Sequence, residues 1–352
     1  MFGQWLNIIL IGLIFVTLVV LVLYNRRRFS FGSLNNRLLA AFVGVAIVSV
    51  AVVVAAVLLQ IRATLIQQES ERFNRDAQVN SQRLSAELTA YVTHLQDMTE
   101  DSSIFGVAEY TTYLLASMPP AERQAKIETQ EKQWGQESSA PLLKAVYNAA
   151  SLKLKDIVIN LPEYTQFILT DGYGGVVALV GEQADHYYYG DQSWWRQAWN
   201  EGKGKIYVGS PYFASDQQSF IIEIAIPVYS SSNKEKAVGV LRARLRFNNM
   251  SLFKEILAAN PGYELTLVDN PSSLIIYSSN KAKIGQKISD TDTVEQKMIQ
   301  GRAKMITAPG GSERAYLYAL DWTMIIQQPE AEIVGLQRFW QPVILGGLFA
   351  FL

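Results

Sequence analysis

One segment of the chain concentrates the side chains that could bind a small molecule. It reads Tyr-Tyr-Tyr-Gly-Asp-Gln-Ser-Trp-Trp over residues 187–195, and Tyr207 and Tyr212 follow shortly after it. Rings of this kind offer flat faces for stacking and for cation–π contact with a positively charged ligand. A carboxylate could be held instead if Arg244 faces the same space. The segment therefore predicts a binding site for an aromatic, cationic or carboxylate ligand.

The same part of the chain contains the residue types of a hydrolase catalytic triad, but it lacks the sequence motif that would expose the nucleophile. Asp185, His186 and Ser193 could supply an acid, a base and a nucleophile, yet no Gly-x-Ser-x-Gly turn exists to expose the serine. The glycines of residues 172–175 are followed by strand-like residues, whereas a phosphate-binding loop leads into a helix. With two histidines and no cysteine in the chain, a multi-histidine metal site or a thiolate site is not expected. We predict no enzymatic activity, no metal and no cofactor.

Structural roles compete with binding roles at several of these positions. The two tryptophans open a helix and could simply fill a core, and alternate tyrosines could point outward. Arg242, Arg244 and Arg246 alternate along one strand, so they are expected to form a solvent-facing row unless that face is the pocket. The predicted ligand-binding residues are Tyr187, Tyr189, Asp191, Gln192, Trp194, Trp195, Tyr207, Tyr212, Asp216 and Arg244.

Strand-like runs surround the aromatic segment. Residues 167–177 read as two apolar strands joined by an Asp-Gly turn, which is typical of a hairpin. Runs at residues 204–209, 220–228 and 237–245 would complete an antiparallel sheet. Loops laid over the face of a rigid sheet commonly form small-molecule pockets, and the aromatic segment would be such a loop.

A second, more compact set of elements repeats this order towards the C-terminus. A helix at residues 250–259 ends at Asn-Pro-Gly, which is a strong stop signal. Two strands at residues 263–268 and 274–277 enclose an Asp-containing turn. A helix at residues 293–300 and strands at residues 303–307 and 315–327 complete the set. The chain is therefore predicted to carry two unequal copies of one α+β unit.

A long helix is predicted to precede both sheets. Residues 60–100 contain no proline and no glycine. Their apolar stripe would either pack on a sheet or form the seam of a parallel dimer, and the sequence favours neither alternative. The stripe consists of Phe73, Ala77, Asn80, Leu84, Leu88, Tyr91, Leu95 and Met98.

Apolar runs at both ends of the chain predict membrane helices. Residues 5–24 and 38–59 are each long enough to cross ~30 Å of hydrocarbon as a helix. The segment between them carries four arginines and no acidic residue, which places it on the cytoplasmic side. No basic residue precedes the first run, which favours a retained helix over a cleaved signal peptide. Residues 334–352 would begin a third membrane helix, in a chain that we expect to continue beyond it.

Several short motifs follow one another along these elements. A Phe-x-x-x-Asp-x-x-Gly-x-Val pattern begins at Phe167, Trp-Trp-Arg-Gln-Ala begins at Trp194, and Gly-Val-Leu-x-Ala-x-Leu begins at Gly239. Trp-x-Met-Ile-Ile-x-Gln-Pro begins at Trp322. In their order and spacing, over about residues 60–333, they resemble the double Cache family, the extracellular ligand-binding modules of bacterial transmembrane receptors.

The resemblance implies an α+β fold class in which a long N-terminal helix carries two tandem PAS-like antiparallel-sheet subdomains, with transmembrane helices at both ends. It also implies a homodimer. The expected domains are a first transmembrane helix and Arg-rich loop (1–37), a second transmembrane helix (38–60), the long helix with a membrane-distal Cache subdomain (61–250), a membrane-proximal Cache subdomain (251–333) and the start of a third transmembrane helix (334–352).

The resemblance also bears on the ligand. Family members that bind free amino acids share a motif whose aromatic positions are retained here. Three polar positions depart from it: Gln192 stands in place of an arginine, and Ala214 and Arg244 stand in place of aspartates. Glutamine cannot reproduce the bidentate grip of arginine on a carboxylate, and an arginine repels a bound ammonium. A standard amino acid is therefore expected to be a poor candidate.

Together these observations predict the extracytoplasmic sensing region of a plasma-membrane signal-transduction receptor, of the chemotaxis or histidine-kinase type. A small molecule would bind in the membrane-distal subdomain, and the long helix would relay binding to a cytoplasmic output domain. The alternative is a membrane-anchored structural or adhesive domain without a small ligand. The expected partners are the ligand, the lipid bilayer and a second copy of the chain. A net charge of −1 gives no reason to expect nucleic acid.

Overall fold

The structure is a computed structural model that describes residues 34–136, 140–215, 218–288, 298–305 and 320–335. Its N-terminal part is helical. An acidic side chain caps the second helix, because Asp101 accepts a hydrogen bond from the Ser103 backbone N–H at 2.9 Å. The helices are α1 (Leu34–Thr99), α2 (Ser102–Ala116), α3 (Pro120–Gln133), α4 (Ala140–Ala145) and α5 (Ala149–Asn160).

Helix α1 confirms the long helix predicted from the sequence. Seven of the eight residues of the predicted stripe are buried, and Asn80 is the exception. Ser81, one position later, is buried in its place. Since these side chains lie in the core of the chain itself, the stripe packs within the domain and does not serve as a dimer seam.

The first sheet is antiparallel, with strand order β2-β1-β6-β5-β3, and β4 also pairs with β5. Strand β6 lies at the centre of this order, so both of its edges are hydrogen-bonded to neighbouring strands. Helix α6 (Ser193–Trp199) lies between the hairpin and the later strands in the sequence. The strands are β1 (Tyr164–Asp171), β2 (Val176–Gly181), β3 (Tyr207–Val208), β4 (Tyr212–Ala214), β5 (Ser219–Tyr229) and β6 (Ala237–Arg246).

The two faces of the first sheet have different covers. Helix α2 packs against β1 and β6 on one side. On the other side, residues of β1, β5 and β6 form a buried cluster with the aromatic segment and with Trp134, which follows α3. The predicted arrangement of a sheet with an aromatic excursion over one face is therefore confirmed.

A second antiparallel sheet follows helix α7 (Ser251–Ala259) and has the order β8-β7-β10-β9. The helix predicted at residues 293–300 is wrong at its C-terminal end, because residues 298–300 already belong to a strand that pairs with β10. The earlier part of that helix lies outside the described residues. The strands are β7 (Glu264–Asp269), β8 (Leu274–Ser278), β9 (Met298–Lys304) and β10 (Trp322–Pro329).

Strand β9 lies directly against the backbone of α1. A Cβ atom added at Gly301 would stand 2.1 Å from the carbonyl carbon of Phe73, so only glycine fits at this contact. The next residue reinforces the contact, since the Arg302 backbone N–H donates to the Asn74 side chain at 3.0 Å. The fold class predicted from the sequence, a long helix carrying two antiparallel sheets, is confirmed.

The described residues divide at positions 71 and 330 into two compact units, one of which comprises residues 72–329. In the other, the short helix α8 (Glu330–Gly335) contacts α1, because Arg62 donates to the Glu330 carboxylate from Nη2 at 2.5 Å and from Nε at 3.1 Å. Over the part of the chain that the structure describes, none of the helices combines the length and the apolar character that crossing a bilayer demands. The predicted span at residues 5–24 lies outside that part, as do all but the first two residues of the span predicted at 334–352, whereas the span predicted at residues 38–59 falls within α1 and is not shown by the structure.

Candidate functional site

Four polar side chains meet on the covered face of the first sheet. In the strand register, Arg244 of β6 lies opposite Gln166 of β1 on one side and opposite Glu223 of β5 on the other. Arg242, two residues earlier on β6, shares the face because side chains alternate along a strand. The four come from three adjacent strands. We call Gln166, Glu223, Arg242 and Arg244 the polar cluster.

Arg242 is the most buried charged member of the polar cluster, with 3% of its surface exposed. Its Nη1 lies 3.2 Å from Glu223 Oε1, and its Nη2 donates to Gln166 Oε1 at 2.6 Å. Its Nε has no hydrogen-bond partner among the described residues. A buried charged group normally has all of its donors satisfied, so this donor is exceptional.

Glu223 is the only acidic member of the polar cluster. One oxygen, Oε1, accepts from Arg244 Nε at 2.9 Å, from Arg242 Nη1 at 3.2 Å and from the Tyr212 hydroxyl at 3.4 Å. A further carboxylate, Glu182 Oε2, stands 3.9 Å from Arg244 Nη1 at a more exposed position. Within hydrogen-bonding distance, two guanidinium groups thus share one carboxylate oxygen.

Two aromatic rings cover the guanidinium of Arg242. Its central carbon lies 4.7 Å from the ring centroid of Trp194 and 5.2 Å from that of Tyr189. The two rings also contact each other, with centroids 5.4 Å apart. Both distances fall within the range of cation–π attraction. The aromatic cover therefore holds Arg242 by its face, and the edges of the guanidinium remain for hydrogen bonding.

Helix α3 fixes the segment that carries this cover. Glu131 Oε2 accepts hydrogen bonds from the backbone N–H groups of Tyr187 and Tyr188, each at 2.8 Å. Its other oxygen, Oε1, lies 2.9 Å from His186 Nδ1. Because one carboxylate binds three consecutive residues, the path of the segment leading to Tyr189 is set by α3.

Burial and mutual charge shift the pKa values of these groups. Burial lowers the pKa of Arg242, although the neighbouring Glu223 acts in the opposite direction. Burial also acts to lower the pKa of Arg244, but Tyr212 and Glu223 outweigh it and the pKa is raised. Burial, followed by the charge of Glu223, raises the pKa of Tyr212 to about 12. At neutral pH the cluster therefore has two cationic arginines beside a neutral tyrosine.

The structure brings four of the predicted binding residues to the polar cluster: Tyr189, Trp194, Tyr212 and Arg244. Tyr207 of β3 lies opposite Ala225 and is half-buried in the same apolar cluster. Asp216 lies outside the described residues.

Four other predicted residues make different contacts. Trp195 points into the sheet, donating from Nε1 to Thr170 Oγ1 at 2.8 Å and stacking on Trp199. Tyr187 is buried against Trp134. Asp191 and Gln192 bond to each other at 3.3 Å beside the start of α6. These four side chains support the segment that carries the aromatic cover, and none of these contacts involves the polar cluster.

Sequence reasoning missed Gln166, Glu223 and Arg242. The expectation that Arg242 belongs to a solvent-facing row is wrong, because this face of β6 is turned towards Trp194 and Tyr189, which bury Arg242. One available signal was Glu223, a single acid within the apolar run Ser-Phe-Ile-Ile-Glu-Ile-Ala-Ile of β5. A charge in such a run demands a buried partner of opposite sign.

A cluster of His, Cys, Asp or Glu residues that could hold a metal ion is absent from the part of the chain that the structure describes. The polar cluster, with one acid and two arginines, also lacks the chemistry of a metal site. Its donors suit an anion.

The family model described as Cache domain matches residues 61–336. This match confirms the resemblance drawn from the motifs. No match was found among curated protein sequences.

Solved structures that are similar to the chain are ligand-binding domains of bacterial chemoreceptors. The domain of Pseudomonas fluorescens chemoreceptor CtaA in complex with L-serine is 13% identical, with a TM-score of 0.45, covering 75% of this chain and 98% of that one. Its complex with L-isoleucine is 12% identical, with a TM-score of 0.47 and coverage of 78% and 98%. The domain of Campylobacter jejuni chemoreceptor Tlp3 with L-norvaline is 13% identical, with a TM-score of 0.46 and coverage of 77% and 94%.

One prediction about the ligand is contradicted by these findings. The sequence analysis treated a standard amino acid as a poor candidate, but the similar domains are described in complex with L-serine and L-isoleucine. The prediction rested on Gln192 in place of an arginine and on Ala214 and Arg244 in place of aspartates. Arg242 and Arg244 place two guanidinium groups on the same face of the sheet, so an arginine at position 192 is not needed to bind a carboxylate.

Proposed function

Because the chain belongs to the Cache domain family, we propose that it is the extracytoplasmic sensing region of a transmembrane receptor, with its ligand site at the polar cluster of the first sheet. Cache domains are sensory ligand-binding modules without catalytic activity. The observation that carries the assignment of the site is Arg242, a buried arginine beneath two aromatic rings whose Nε has no hydrogen-bond partner among the described residues. Buried convergent polar groups beside an aromatic wall are typical of small-molecule sites.

The proposed topology rests on the sequence. Residues 5–24 and 38–59 are apolar runs of membrane-spanning length, and the four arginines between them favour the cytoplasmic side. The Cache region that follows would then lie outside the cell, with the first sheet membrane-distal. Since α1 extends from Leu34 to Thr99, one continuous helix joins the predicted second span to the core of the domain.

Relay of the signal requires a ligand that binds two conformations of the domain unequally. Helix α1 is suited to transmit such a difference because its buried stripe packs in the same domain as the polar cluster. We propose that ligand binding shifts α1, and that a homodimer carries the shift to an output domain.

A ligand screen tests the proposed site. The full chain, purified in detergent, would be screened by thermal shift against amino acids, carboxylates, amines and nucleobases. At least one compound is expected to raise the melting temperature, and Trp194→Leu is expected to abolish that rise because it removes a ring from Arg242. Tyr110→Ala, on an exposed ring of α2, is the matched control and should respond like the wild type.

Two outcomes would contradict the proposal. An undiminished response in Trp194→Leu would place the ligand site elsewhere, and no response to any compound would favour a structural or adhesive role. Topology is tested separately by introducing single cysteines, since the chain contains none. A membrane-impermeant maleimide applied to intact cells should label Lys234→Cys and leave Ser30→Cys unlabelled, and the reverse pattern would overturn the proposed orientation.

A further inference from the structure

We propose that Glu87 and Glu163 bind one proton between them through the hydroxyl group of Tyr91, and that this proton controls how firmly helix α1 is attached to the rest of the domain. The inference goes beyond the proposed function, because it assigns a second input, the pH of the surrounding solution, to a site that shares no residue with the polar cluster. It follows from the protons that three adjacent side chains can supply and from the elements that they join.

The hydroxyl group of Tyr91 lies between two carboxyl groups. Its oxygen is 3.2 Å from Glu87 Oε1 and 3.1 Å from Glu163 Oε1. Burial, reinforced by the two glutamates, raises the pKa of Tyr91, so the hydroxyl keeps its single proton. If both glutamates were ionised, only one could accept that proton, and the other would face a lone pair. All contacts are satisfied when one carboxyl group is neutral and donates to Tyr91, which then donates to the other.

Glu87 is the glutamate that carries the proton. Its Oε2 is buried and has no hydrogen-bond partner among the described residues, which costs less for a neutral carboxyl group than for a carboxylate. Burial is the largest influence on Glu87 and raises its pKa, whereas hydrogen bonds from Tyr91 and Ser251 act to lower it. The charges of Glu163 and Glu255 add to the effect of burial, because a second carboxylate nearby disfavours ionisation.

The other charged and titratable groups at this place do not compensate Glu87. Arg83, one turn earlier on α1, donates to Glu255 of α7 at 2.6 Å, so these two charges pair with each other. From the start of β1, Tyr164 contributes a buried neutral ring, and His94 of α1 packs on that ring with centroids 6.3 Å apart. Among the described residues, the donors that reach Glu87 are hydroxyl groups.

The protonated site connects α1 to elements of both sheets. Glu163 directly precedes β1, and its backbone carbonyl accepts from the Arg246 N–H, at the end of β6, at 2.8 Å. Ser251 is the first residue of α7, which leads into the second sheet, and it donates to Glu87 Oε1 at 3.2 Å. Loss of the proton therefore places two negative charges where α1 contacts the start of one sheet and the helix that precedes the other.

The direction of the pH effect follows from the raised pKa. Because folding raises the pKa of Glu87 above the ordinary value of 4.5, the bound proton stabilises this junction fully below that pH. The contribution is lost as the pH rises through the raised value. Helix α1 is therefore attached most firmly in acid. Since α1 is one continuous helix, the change in its attachment acts on the same element to which the ligand signal is assigned.

Glutamine variants test the shared proton in the full chain in detergent, by chemical denaturation. In the wild type, the unfolding equilibrium constant should rise between pH 4 and pH 8. In Glu87→Gln this rise should be smaller by at least about threefold, since one pKa unit corresponds to a factor of ten. Glu163→Gln should also reduce the rise, and the double variant should show no further reduction beyond Glu87→Gln, because the two residues share one proton.

A matched control and a direct measurement accompany these variants. Glu128→Gln, at an exposed acid of α3, should behave like the wild type, and groups that titrate elsewhere, such as Asp171, contribute equally to every variant. Infrared difference spectra at pH 5 should show the C=O band of a neutral carboxyl group that is missing from Glu87→Gln. Tyr91→Phe should shift this band, because the carboxyl group loses the oxygen to which it donates.

Spin labels test whether the proton controls α1. The chain contains no cysteine, so labels can be placed at Ala86→Cys on α1 and Lys254→Cys on α7, both exposed positions. The distance between the labels should be narrowly distributed at pH 5 and more broadly distributed at pH 8. With Glu87→Gln in addition, the distribution should stay narrow at both pH values, because glutamine cannot ionise.

Three outcomes would overturn the proposal. If the reductions caused by Glu87→Gln and Glu163→Gln add in the double variant, the two residues titrate separately. If neither variant changes the pH dependence, or if the infrared band persists in Glu87→Gln, the proton is not bound there. If the label distances of the wild type are the same at both pH values, the proton does not control α1. Each outcome leaves the proposed ligand site unaffected, because no variant alters the polar cluster.

Discussion

The two sheets share one plan of pairing but differ in what they bury. In each, the first strand of a hairpin pairs with the last strand of the set, giving β2-β1-β6-β5 in the first sheet and β8-β7-β10-β9 in the second. Three residues before the turn aspartate of each hairpin, Arg242 of β6 lies opposite Ile168, and Ile325 of β10 lies opposite Thr266. The corresponding face of the second sheet is an apolar cluster of Val268, Ile275 and Ile325.

Charges on the second sheet are also matched in a way that those of the first are not. Glu264 pairs with Lys283 at 2.7 Å, and its other oxygen accepts from Gln327 at 3.1 Å. One acid thus meets one base, at a partly exposed position. The comparison shows that the shared framework does not require a buried charge at this position, because Ile325 of β10 stands where β6 has Arg242.

The largest expected effect is a difference in the free energy of unfolding between two variants, one at Glu223 of the first sheet and one at Glu264 of the second. Glu223→Ala removes the partner of a buried arginine, so the free energy of unfolding should fall by about 3–5 kcal/mol, the cost of leaving a buried charge uncompensated. Glu264→Ala removes a partly exposed pair and should cost about 1 kcal/mol or less. Urea denaturation of both variants measures the difference. Equal decreases in the free energy of unfolding would contradict the prediction, because they would show that Glu223 stabilises the fold no more than the acid of a partly exposed ion pair.

A second prediction concerns Asp171, at the end of β1. Its carboxyl group is fully buried, and burial raises its pKa to about 6 even though Oδ1 accepts from the backbone N–H groups of Tyr173 and Gly175. Because the folded state disfavours the ionised form, this residue stabilises the fold below pH ~4, and the contribution is lost as the pH rises through about 6. A shift from 3.8 to about 6 corresponds to about 3 kcal/mol.

Asp171→Asn tests this effect, because asparagine keeps an acceptor for both backbone donors and cannot ionise. Relative to the wild type, the variant should lose less stability between pH 4 and pH 7 in chemical denaturation. Stability curves that run parallel over this range would contradict the prediction. The equivalent turn of the second sheet is more open, since Asp269 is only partly buried and bonds to the Trp322 indole at 3.1 Å.

The smallest expected effect separates the two adjacent tryptophans of the first sheet. Trp195→Phe removes the hydrogen bond to Thr170 Oγ1, so it should destabilise the fold by about 1 kcal/mol. Ligand-dependent stabilisation should persist, because Trp195 does not contact Arg242. Measuring ligand-dependent stabilisation in this variant and in Trp194→Leu tests whether the site depends on Trp194 and not on Trp195. Loss of the response in Trp195→Phe would show that Trp195 also belongs to the site.

Much of the fold followed from periodic patterns in the sequence. The spacing of Phe73, Leu84 and Leu95 predicted the buried face of α1, since a helix places such residues on one side. The hairpin beginning at Phe167 followed from two apolar runs around an Asp-Gly turn. The start of β9 did not follow, because strand formation at residues 298–300 depends on pairing with β10, which local propensity does not encode.

The candidate site was predicted only in part. Aromatic density in one segment located the cover, and Arg244 was identified, but Arg242 was assigned to solvent. Alternation along β6 shows that Arg242, Arg244 and Arg246 share a face, but it does not show which face is buried. That depends on which face of the sheet the aromatic segment covers, and so on the path that Glu131 imposes on residues 186–188 and on the packing of Trp194 over Arg242. Both are long-range contacts that no local pattern contains.

The absent side chain at Gly301 has a mechanical consequence. At this point β9 and α1 meet backbone to backbone, at Phe73 and Asn74. Rotamer changes cannot absorb a displacement at this point. A displacement of α1 along its axis at Phe73 must therefore displace β9, the edge strand of the second sheet, in the same direction.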